Sequence, residues 1–397
     1  MPTALLLLCL VLPAGDDATF AVPTDLAVGE ADAPLTTAVH QTVTTFVDAT
    51  IVPGAVVVVT DADASRLETA VGCRTIRPLD PLAVDDVFYL ASITKPMTAA
   101  AFMQLVDEGK VSLDDPVSKY LPIFEKTKTA DGTPVTITVR QCLTHTSGLD
   151  GDRNSAATSL AEFVDEMAGR PVLFEPGQRW QYSRAIDVVG RIAEVVTGDD
   201  YAAFMATRLF EPLGMSDTGF TPPESGRNAP PHRLLAATGG LEPTPIEVAR
   251  LGSFEPYNPA FPVPSAGSFS TGPDLAKFAR FLLNKGRLGD RRLLSERAVE
   301  EMTAVQTGDL AAGFTPGSAW ALGFGVARSP QHVTRALSPG TFGHGGVWGP
   351  QLWVDPTRGI AQIILYERSD IGNSDGADLR EAVHVAVRRA LDAGDTP

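Results

Sequence analysis

The sequence predicts an α+β protein of the α/β sandwich type, in which both ends of the chain build one antiparallel sheet flanked by terminal helices. The N-terminal part carries a helical pattern and then two strand patterns, and the C-terminal part returns to strands and ends in a helix. Between them, helical runs alternate with loops rich in proline and glycine. We therefore expect the sheet over about 33–91 and 315–397, and an inserted, mostly helical part over about 92–314.

The N-terminal elements follow from spacing. Apolar residues recur at helical intervals from Leu35 to Val47, and Pro53-Gly54 ends that helix. The β-branched run Ala55–Thr60 predicts a strand, a short Asp/Ala turn follows, and Leu67–Val71 returns the chain. This order is a helix followed by an antiparallel hairpin.

Helices dominate the predicted middle of the chain. One is expected over Thr98–Glu108, a second has its apolar face between Ile186 and Val196, and a third contains Phe204–Phe210. Thr271, with an acidic residue three positions on, has the form of a helix start. The proline-rich stretch 221–264 is a long loop, either a wall of a substrate pocket or a surface excursion.

The C-terminal part is predicted to return to the sheet. A strand is expected over Ala321–Ala327, and Gln351–Val354 and Ile360–Tyr366 flank a turn, which predicts a hairpin. The last helix, Leu379–Leu391, has a leucine and valine face. Three basic residues are expected to point away from that face: Arg380, His384 and Arg388.

Composition excludes several function classes. The 48 acidic and 32 basic residues give a formal charge of −16, which argues against nucleic acid, because phosphate binding needs clustered Lys and Arg. The cysteines Cys9, Cys73 and Cys142 are too widely separated to form a disulfide framework, and no Cys or His cluster has metal-ligand spacing. We expect neither a metal nor a cofactor, and the sequence carries no signal of oligomeric state.

Residues 1–32 are predicted to be a signal peptide and linker, and the domain is expected over 33–397. The run Leu5–Leu12 has the length of a signal-peptide core and is too short to span a bilayer. No Lys or Arg precedes it, and a misassigned start is the alternative. We expect an exported protein, periplasmic or secreted, without a stable membrane span; the alternative is a cytoplasmic one.

The stretch 91–98 carries the strongest chemical signal. Ser92 and Lys95 are three residues apart at the start of a helical run, so they share one helix face. A serine needs a nearby base to become a nucleophile, and the lysine amine lies within reach. The positive end of the helix dipole would favour negative charge developing at Ser92.

Three further motifs follow in order: Leu-Thr-His-Thr-Ser-Gly-Leu over 143–149, Trp-Gln-Tyr-Ser over 180–183 and Phe-Gly-His-Gly-Gly over 342–346. With Ser-x-x-Lys, they make residues 35–392 similar to the serine β-lactamase and penicillin-binding protein superfamily. The likeness is closest to the class C β-lactamase-like branch, which includes family VIII carboxylesterases and D-Ala-D-Ala carboxypeptidases.

The resemblance implies roles by position. Ser92 would be the acyl-accepting nucleophile, Lys95 would have a depressed pKa, and Tyr182 would be the general base, held partly as phenolate by cationic neighbours. The backbone N–H groups of Ser92 and Val347 would form the oxyanion hole. Further residues are expected to bind substrate: His344, Gly345, Gly346, Arg184 and Trp348.

Two departures from the family pattern bear on substrate. Arg184 stands where the family has the asparagine that holds a β-lactam side chain, and His344 stands where it has a carboxylate-binding lysine. Both favour a carboxylesterase acting on small or medium acyl esters. The alternatives are a β-lactamase or D-Ala-D-Ala carboxypeptidase, and a non-catalytic scaffold with the same fold. For Trp348 core packing is an equal alternative, His145 is expected to shape a loop, and Cys142 to be an inert buried thiol.

Overall fold

The computed structural model describes residues 26–27, 32–150, 155–222, 224, 226–246, 258, 260–372, 374 and 377–394. Its N-terminal part is mainly strand. The elements there are β1 (Leu26–Ala27), α1 (Ala33–Asp48), β2 (Gly54–Thr60), β3 (Ser65–Ile76), β4 (Leu79–Pro81) and β5 (Phe88–Tyr89).

The middle of the chain is mainly helical. A 3-10 turn (Ala91–Ile93) leads into α2 (Thr94–Asp107), and two more such turns (Val117–Lys119 and Pro122–Lys126) precede α3 (Val139–Leu143). There follow α4 (Leu160–Ala168), α5 (Ile186–Thr197), α6 (Tyr201–Met205), a π-helical turn (Ala206–Phe210), α7 (Glu211–Leu213), β6 (His232–Leu234), β7 (Leu241–Pro243), β8 (Phe269–Ser270), α8 (Gly272–Leu283), β9 (Arg287–Leu288), β10 (Arg291–Arg292) and α9 (Glu296–Thr303).

The C-terminal part returns to strands: β11 (Ser318–Trp320), β12 (Gly325–Ala327), a 3-10 turn (His332–Thr334), β13 (Thr341–Gly345), β14 (Gln351–Asp355), β15 (Ile360–Leu365) and finally α10 (Asp378–Gly394). Within the described residues, nine strands form the main sheet, in the order β1-β3-β2-β15-β14-β13-β12-β11, with β4 paired to β3. Each of these pairs is antiparallel. Because β2 pairs with β15, the prediction that both chain ends build one sheet is confirmed.

The burial of strand β2 shows that helices cover both faces of the sheet. All seven of its residues are buried, and successive side chains in a strand point to opposite faces. Val57 and Val59 pack in the cluster that contains the apolar residues of α1 and α10, whereas Val56 and Val58 belong to the cluster that contains α8 and α2. The chain therefore forms helical layers on both sides of a central sheet.

Helix α2 runs through the middle of the larger core cluster. Every residue from Thr94 to Leu105 is buried, as expected for a helix with neighbours on all sides. It contacts α5, α6, α9 and strand β13. The residues at its N-terminal end are therefore held by both the helical part and the sheet.

The single strand predicted over Ala321–Ala327 is wrong. The chain makes a tight turn between β11 and β12, closed by the Ala321 N–H donating to the Phe324 carbonyl at 2.8 Å. Gly323 has a φ of 78°, and a Cβ there would lie 3.1 Å from the Lys95 carbonyl. The turn was not apparent in the sequence because the residues on both sides of Gly323 are apolar, and in the structure they are buried.

The expected orientation of the basic residues on the last helix is wrong for two of the three. Arg380 and His384 are buried, and the His384 Nδ1 lies 2.9 Å from the Gln362 side-chain oxygen on β15. The Arg380 guanidinium lies 4.3 Å from the Trp353 ring centroid. Only Arg388 is exposed as expected. The other two lie towards the sheet because the Trp353 ring on β14 contacts Arg380 and the Gln362 side chain on β15 contacts His384.

Two predictions concern residues that are only partly described. The predicted leader over Leu5–Leu12 lies outside the described residues and stays a prediction, but Leu26–Ala27 of the predicted linker pairs with β3 as an edge strand. In the proline-rich stretch 221–264, the described residues include the β6–β7 hairpin. Among the helices that the structure describes, none is both long and apolar enough to cross a bilayer.

Candidate active site

Ser92 lies where the chain passes from β5 into α2. Strand β5 pairs with β8, and the Leu90 N–H donates to the Ser268 carbonyl at 2.8 Å, which fixes the approach of the chain. Ala91 then has a φ of 44°, a left-handed conformation that is uncommon for a residue with a side chain. The Thr94 hydroxyl donates to the Ala91 carbonyl at 2.6 Å and holds this turn. Ser92 is therefore held, partly exposed, at the N-terminal end of α2.

Lys95 lies against Ser92 and is only 2% exposed. Its Nζ donates to the Ser92 Oγ at 3.1 Å and to the Ser265 carbonyl at 2.6 Å. Burial lowers the pKa of Lys95 to about 7; the negative charge of Asp187 opposes this effect and the positive charge of Arg184 adds to it. A substantial fraction of the amine is therefore neutral near neutral pH and can accept a proton.

Tyr182 completes the group around the serine hydroxyl. Its hydroxyl is hydrogen-bonded to Ser92 and lies 3.4 Å from His344 Nε2, and the Lys95 Nζ lies 4.6 Å from its ring centroid. Burial raises the pKa of Tyr182 above its usual value, and the hydrogen bond to Ser92 only partly opposes this. The phenolate expected from the resemblance is thus disfavoured, because the energy of desolvating the anion exceeds the stabilisation from its neighbours.

His344 lies on β13 beside Tyr182 and is 4% exposed. Its Nδ1 lies 2.7 Å from the Gly345 carbonyl, so the N–H is assigned to that nitrogen. Burial, together with the positive charge of Lys95, lowers the pKa of His344 to about 3. The ring is therefore neutral, and this position carries no cation at neutral pH.

The end of β13 approaches the nucleophile turn closely. Strand β13 contacts the turn 91–93. A Cβ on Gly346 would lie 2.3 Å from the Leu90 carbonyl oxygen, so only glycine fits there. Gly345 and Val347, on either side of it, are partly exposed. This packing brings the predicted oxyanion-hole residues, Val347 and Ser92, onto neighbouring segments.

Arg184 is held by a buried partner. Its Nε donates to the Asp187 carboxylate at 2.7 Å, and its guanidinium lies 3.8 Å from the Phe163 ring centroid. Asp187 is fully buried and also accepts a hydrogen bond from the Ser265 N–H at 2.8 Å. The charge of Arg184 is thus balanced within the protein.

Comparison with known proteins decides the family. A family model described as Beta-lactamase matches residues 39–387. The chain belongs to the β-lactamase family. The predicted resemblance is confirmed, and the chain is a serine hydrolase with a β-lactamase/transpeptidase-like fold.

Relatives of this β-lactamase-family protein include esterases and a peptidase. Esterase EstB of Burkholderia gladioli is 32% identical over 344 residues, which cover 77% of this chain and 83% of that protein. The D-alanyl-D-alanine-carboxypeptidase/endopeptidase AmpH of Escherichia coli K12 is 29% identical over 306 residues, 72% of each chain. Among solved structures, EstCE1, described as a hydrolase with promiscuous acyltransferase activity, has a TM-score of 0.78 and 25% identity, and the match covers 90% of this chain and all of that one.

Trp348 does not line the site of this β-lactamase-family protein as predicted. It has no exposed surface, and its ring centroid lies 5.4 Å from that of Tyr89 in a separate buried cluster. Its φ of 74° turns the side chain beneath the strand end. A side chain without exposed surface does not touch a substrate in this conformation, so the core-packing alternative describes it.

His145 and Cys142 have structural environments, as expected. The His145 ring is fully buried, 4.5 Å from the Tyr182 ring, and its Nδ1 accepts a hydrogen bond from the Ser183 N–H at 3.3 Å. Burial holds its pKa well below the usual value. Cys142 is also fully buried, which raises the pKa of its thiol. His145 shapes the loop that carries Tyr182, and Cys142 is held as an unreactive thiol.

An aromatic wall, Trp180, Tyr182, Phe314 and Trp320, borders one side of the site. The rings of Tyr182 and Phe314 have centroids 4.9 Å apart, and those of Trp180 and Phe314 are 5.6 Å apart. Phe314 is 51% exposed, whereas Trp320 is buried. An exposed aromatic ring thus lies directly beside the tyrosine.

The structure adds three residues that sequence reasoning missed: Asp187, Ser265 and Phe314. Asp187 interrupts the apolar run of α5 three residues after Arg184, and this spacing was the one sequence signal for an ion pair between them. Ser265 acts through its backbone, which side-chain patterns do not reveal. Across the described ranges, no group of three or more His, Cys, Asp or Glu side chains is arranged to hold a metal.

Proposed function

We propose that this protein is a carboxylesterase that acts on small or medium acyl esters through an acyl-enzyme on Ser92. The observation that carries this choice is the neutral His344 at the position where the resembling β-lactamases and peptidases have a lysine. With its pKa near 3, this ring provides no positive charge for a substrate carboxylate. Arg184, the other candidate cation, is paired with Asp187. A neutral ester fits such a site better than an acidic substrate.

The reaction follows from the positions of the side chains. Neutral Lys95 takes the proton of the Ser92 hydroxyl while Oγ bonds to the ester carbonyl carbon. The carbonyl oxygen becomes an oxyanion, which the N–H groups of Ser92 and Val347 would stabilise, each by about 2.7–4 kcal/mol. The tetrahedral intermediate collapses as the C–O bond to the alcohol breaks. The alcohol leaves with a proton from the Tyr182 hydroxyl, and Lys95 returns its proton to the tyrosine.

Deacylation uses the same groups in reverse. Lys95, neutral again, accepts a proton from a water molecule as its oxygen bonds to the acyl carbon. The acid is released when the bond to Ser92 Oγ breaks and the serine regains its proton. Assigning the base to Lys95 instead of Tyr182 follows from the pKa values, because the lysine is close to neutral pH and the buried phenol is not.

The aromatic wall supports an apolar substrate. The exposed ring of Phe314 offers a flat apolar surface next to the reacting groups. EstB, by its name, is an esterase, and EstCE1 is described as a hydrolase. Their similarity agrees with the proposed activity, while AmpH keeps a peptidase as the second candidate.

The proposed activity is tested with two esters that differ by one charge. We expect hydrolysis of p-nitrophenyl butyrate to exceed that of mono-p-nitrophenyl succinate by about tenfold or more in kcat/KM, because a carboxylate without a partner is costly to desolvate. Ser92→Ala should abolish both activities. Ser183→Ala, at the other serine beside Tyr182, is the matched control and should stay within a few-fold of wild type.

A chromogenic cephalosporin, which carries a carboxylate, separates the candidates. Little cephalosporin turnover together with fast ester turnover supports the esterase. His344→Lys, which places a cation on β13, should narrow the preference for the neutral ester. Faster cleavage of the cephalosporin than of the ester by wild type would instead favour the β-lactamase, and ester turnover retained in Ser92→Ala would remove the nucleophile assignment.

A further inference from the structure

A buried ion pair lies behind the lysine of the active site. Arg184 lies two residues before α5 and Asp187 lies in its first turn, with the Arg184 Nε 2.7 Å from the carboxylate. The Asp187 side chain has no exposed surface, and that of Arg184 is 20% exposed. A buried ion pair is weak evidence for stability alone, because desolvation offsets the attraction. Its position beside Lys95 suggests a second role.

Asp187 is connected to Lys95 through one residue. Its Oδ1 accepts a hydrogen bond from the Ser265 N–H at 2.8 Å, and the Ser265 carbonyl accepts one from the Lys95 Nζ at 2.6 Å. The Thr98 hydroxyl donates to the Pro264 carbonyl at 2.7 Å, and this attaches the neighbouring residue to α2. The position of the carboxylate therefore determines where the acceptor for Lys95 lies.

The two members of the pair also act on Lys95 by their charges, in opposite directions. The negative charge of Asp187 favours the ammonium form of Lys95, and the positive charge of Arg184 disfavours it. The other titratable groups packed around the amine are neutral near pH 7. Tyr182 has a raised pKa, and His145 and His344 have lowered ones.

We propose that Asp187 and Arg184 are positioning residues that hold Lys95 against Ser92 through Ser265 and balance the charge around its amine. This inference rests on the proposed function, since it assumes that Lys95 removes the proton of Ser92. Neither residue touches the reacting atoms. Their contribution is the location of the amine and the pH at which it becomes neutral.

Because Asp187 and Arg184 carry opposite charges, removing each charge should shift the pKa of Lys95 in opposite directions. Without the negative charge, in Asp187→Asn, neutral Lys95 persists to lower pH, so the acidic limb of the pH profile should move down by about 0.5–1 unit. Without the positive charge, in Arg184→Gln, the same limb should move up by a similar amount. The double variant should return close to the wild-type limb. Asp187→Ala, which also removes the acceptor for Ser265, should lower the plateau rate by about tenfold or more.

The readout is the rate at which diethyl p-nitrophenyl phosphate labels Ser92, followed by nitrophenolate release and the mass of the adduct. In this step the Ser92 Oγ–P bond forms and the P–O bond to nitrophenolate breaks, with the serine proton passing to Lys95. The matched controls are Asp274→Asn and Lys277→Gln. Asp274 on α8 is also buried, with its side chain 2% exposed, and it is paired at the same sequence spacing with Lys277. Asp274→Asn and Lys277→Gln should leave the acidic limb of the pH profile unchanged.

The inference would be overturned if the acidic limb of the pH profile stayed fixed in Asp187→Asn and Arg184→Gln, or if it moved in the same direction in both. If Asp187→Asn fails to fold, as seen by circular dichroism, Arg184→Gln must still raise the limb. Labelling also separates the two proposals. An enzyme that is labelled with the expected shifts but hydrolyses no ester contradicts the proposed function alone, and one that hydrolyses esters without the shifts contradicts this inference alone.

Discussion

Lys95 shows how one side chain can serve catalysis at the expense of the fold. Its pKa of about 7 means that burial strongly disfavours the ammonium form, which is the form that a lysine has in the unfolded chain near neutral pH. The same burial makes the amine a proton acceptor in the range where an esterase would work. The residue that gives the site its reactivity is therefore expected to destabilise the folded state.

Replacing Lys95 should stabilise the protein, with a defined pH dependence. Above about pH 10.5 the amine is neutral both folded and unfolded, so it carries no penalty. As the pH falls towards 7, the unfolded chain binds a proton that the folded protein disfavours, and the penalty grows to its full size below that pH. Lys95→Met should thus raise the free energy of unfolding by about 1–3 kcal/mol at pH 6.5, with activity lost.

Thermal unfolding from pH 6.5 to 10 measures this effect, and the gap between variant and wild type should shrink as the pH rises. The lost hydrogen bond to the Ser265 carbonyl offsets part of the gain. Lys277→Met, at a partly exposed lysine, is the control and should not stabilise. A gap of constant size across the pH range would mean that the titration of Lys95 is not its source.

At the scale of elements, the loop between α9 and β11 contributes the exposed part of the aromatic wall. Two glycines with positive φ flank the aromatic residue: Gly313 at 88° and Gly317 at 78°. A Cβ on Gly317 would lie 2.0 Å from the Ser329 carbonyl oxygen, so the loop packs tightly on its neighbour. Phe314 is therefore presented by a constrained loop.

Removing the Phe314 ring should change substrate preference more than chemistry. Contacts between aromatic groups contribute about 0.5–1.5 kcal/mol, so Phe314→Ala should raise the KM for p-nitrophenyl benzoate about three- to tenfold. The effect on p-nitrophenyl acetate should be smaller, and kcat should change little. Steady-state kinetics on both esters tests this, with Ile123→Ala as a control at an exposed apolar residue outside the wall, 43% exposed. Equal losses on both esters would contradict a role in binding.

Sequence alone predicted elements where a pattern is local. The period of Leu35–Val47 predicted α1, and the β-branched run Ala55–Thr60 predicted β2, which is buried along its whole length. The Thr271 start of α8 is confirmed, because its hydroxyl accepts from the Asp274 N–H at 3.2 Å. The turn at Gly323 was missed because it is set by the approach of α2, which is a tertiary contact.

The sequence also predicted which residues form the site, again where the pattern is local. Motif order indicated that Ser92, Lys95, Tyr182 and His344 would lie together, and the structure places them within hydrogen-bonding or ring contact of one another. The protonation state of Tyr182 depends on burial, and the hydrogen bond from the Ser265 N–H to Asp187 joins residues 78 positions apart in the sequence. Neither property is contained in a local pattern.

At the scale of the whole molecule, the two parts of the chain are joined through shared elements. Strand β2 pairs with β15, and α1 packs against α10, so the sheet needs both chain ends. Helix α2 belongs to the core cluster that joins the helical part to the sheet face carrying Val56 and Val58. We therefore expect the site to be lost in the same transition as the sheet, although the two lie on different layers.

A mutation in the last helix tests this coupling far from Ser92. Leu379 on α10 is 2% exposed and belongs to the core cluster that α1 and α10 form with Val57 and Val59. Leu379→Ala should destabilise the protein by about 2–5 kcal/mol. Loss of Ser92 labelling and loss of far-ultraviolet circular dichroism should then shift together to lower temperature. Arg389→Ala, at an exposed residue of the same helix, should change stability by less than about 0.5 kcal/mol. Two separate transitions, with labelling retained after the sheet has melted, would show that the helical part holds the site independently.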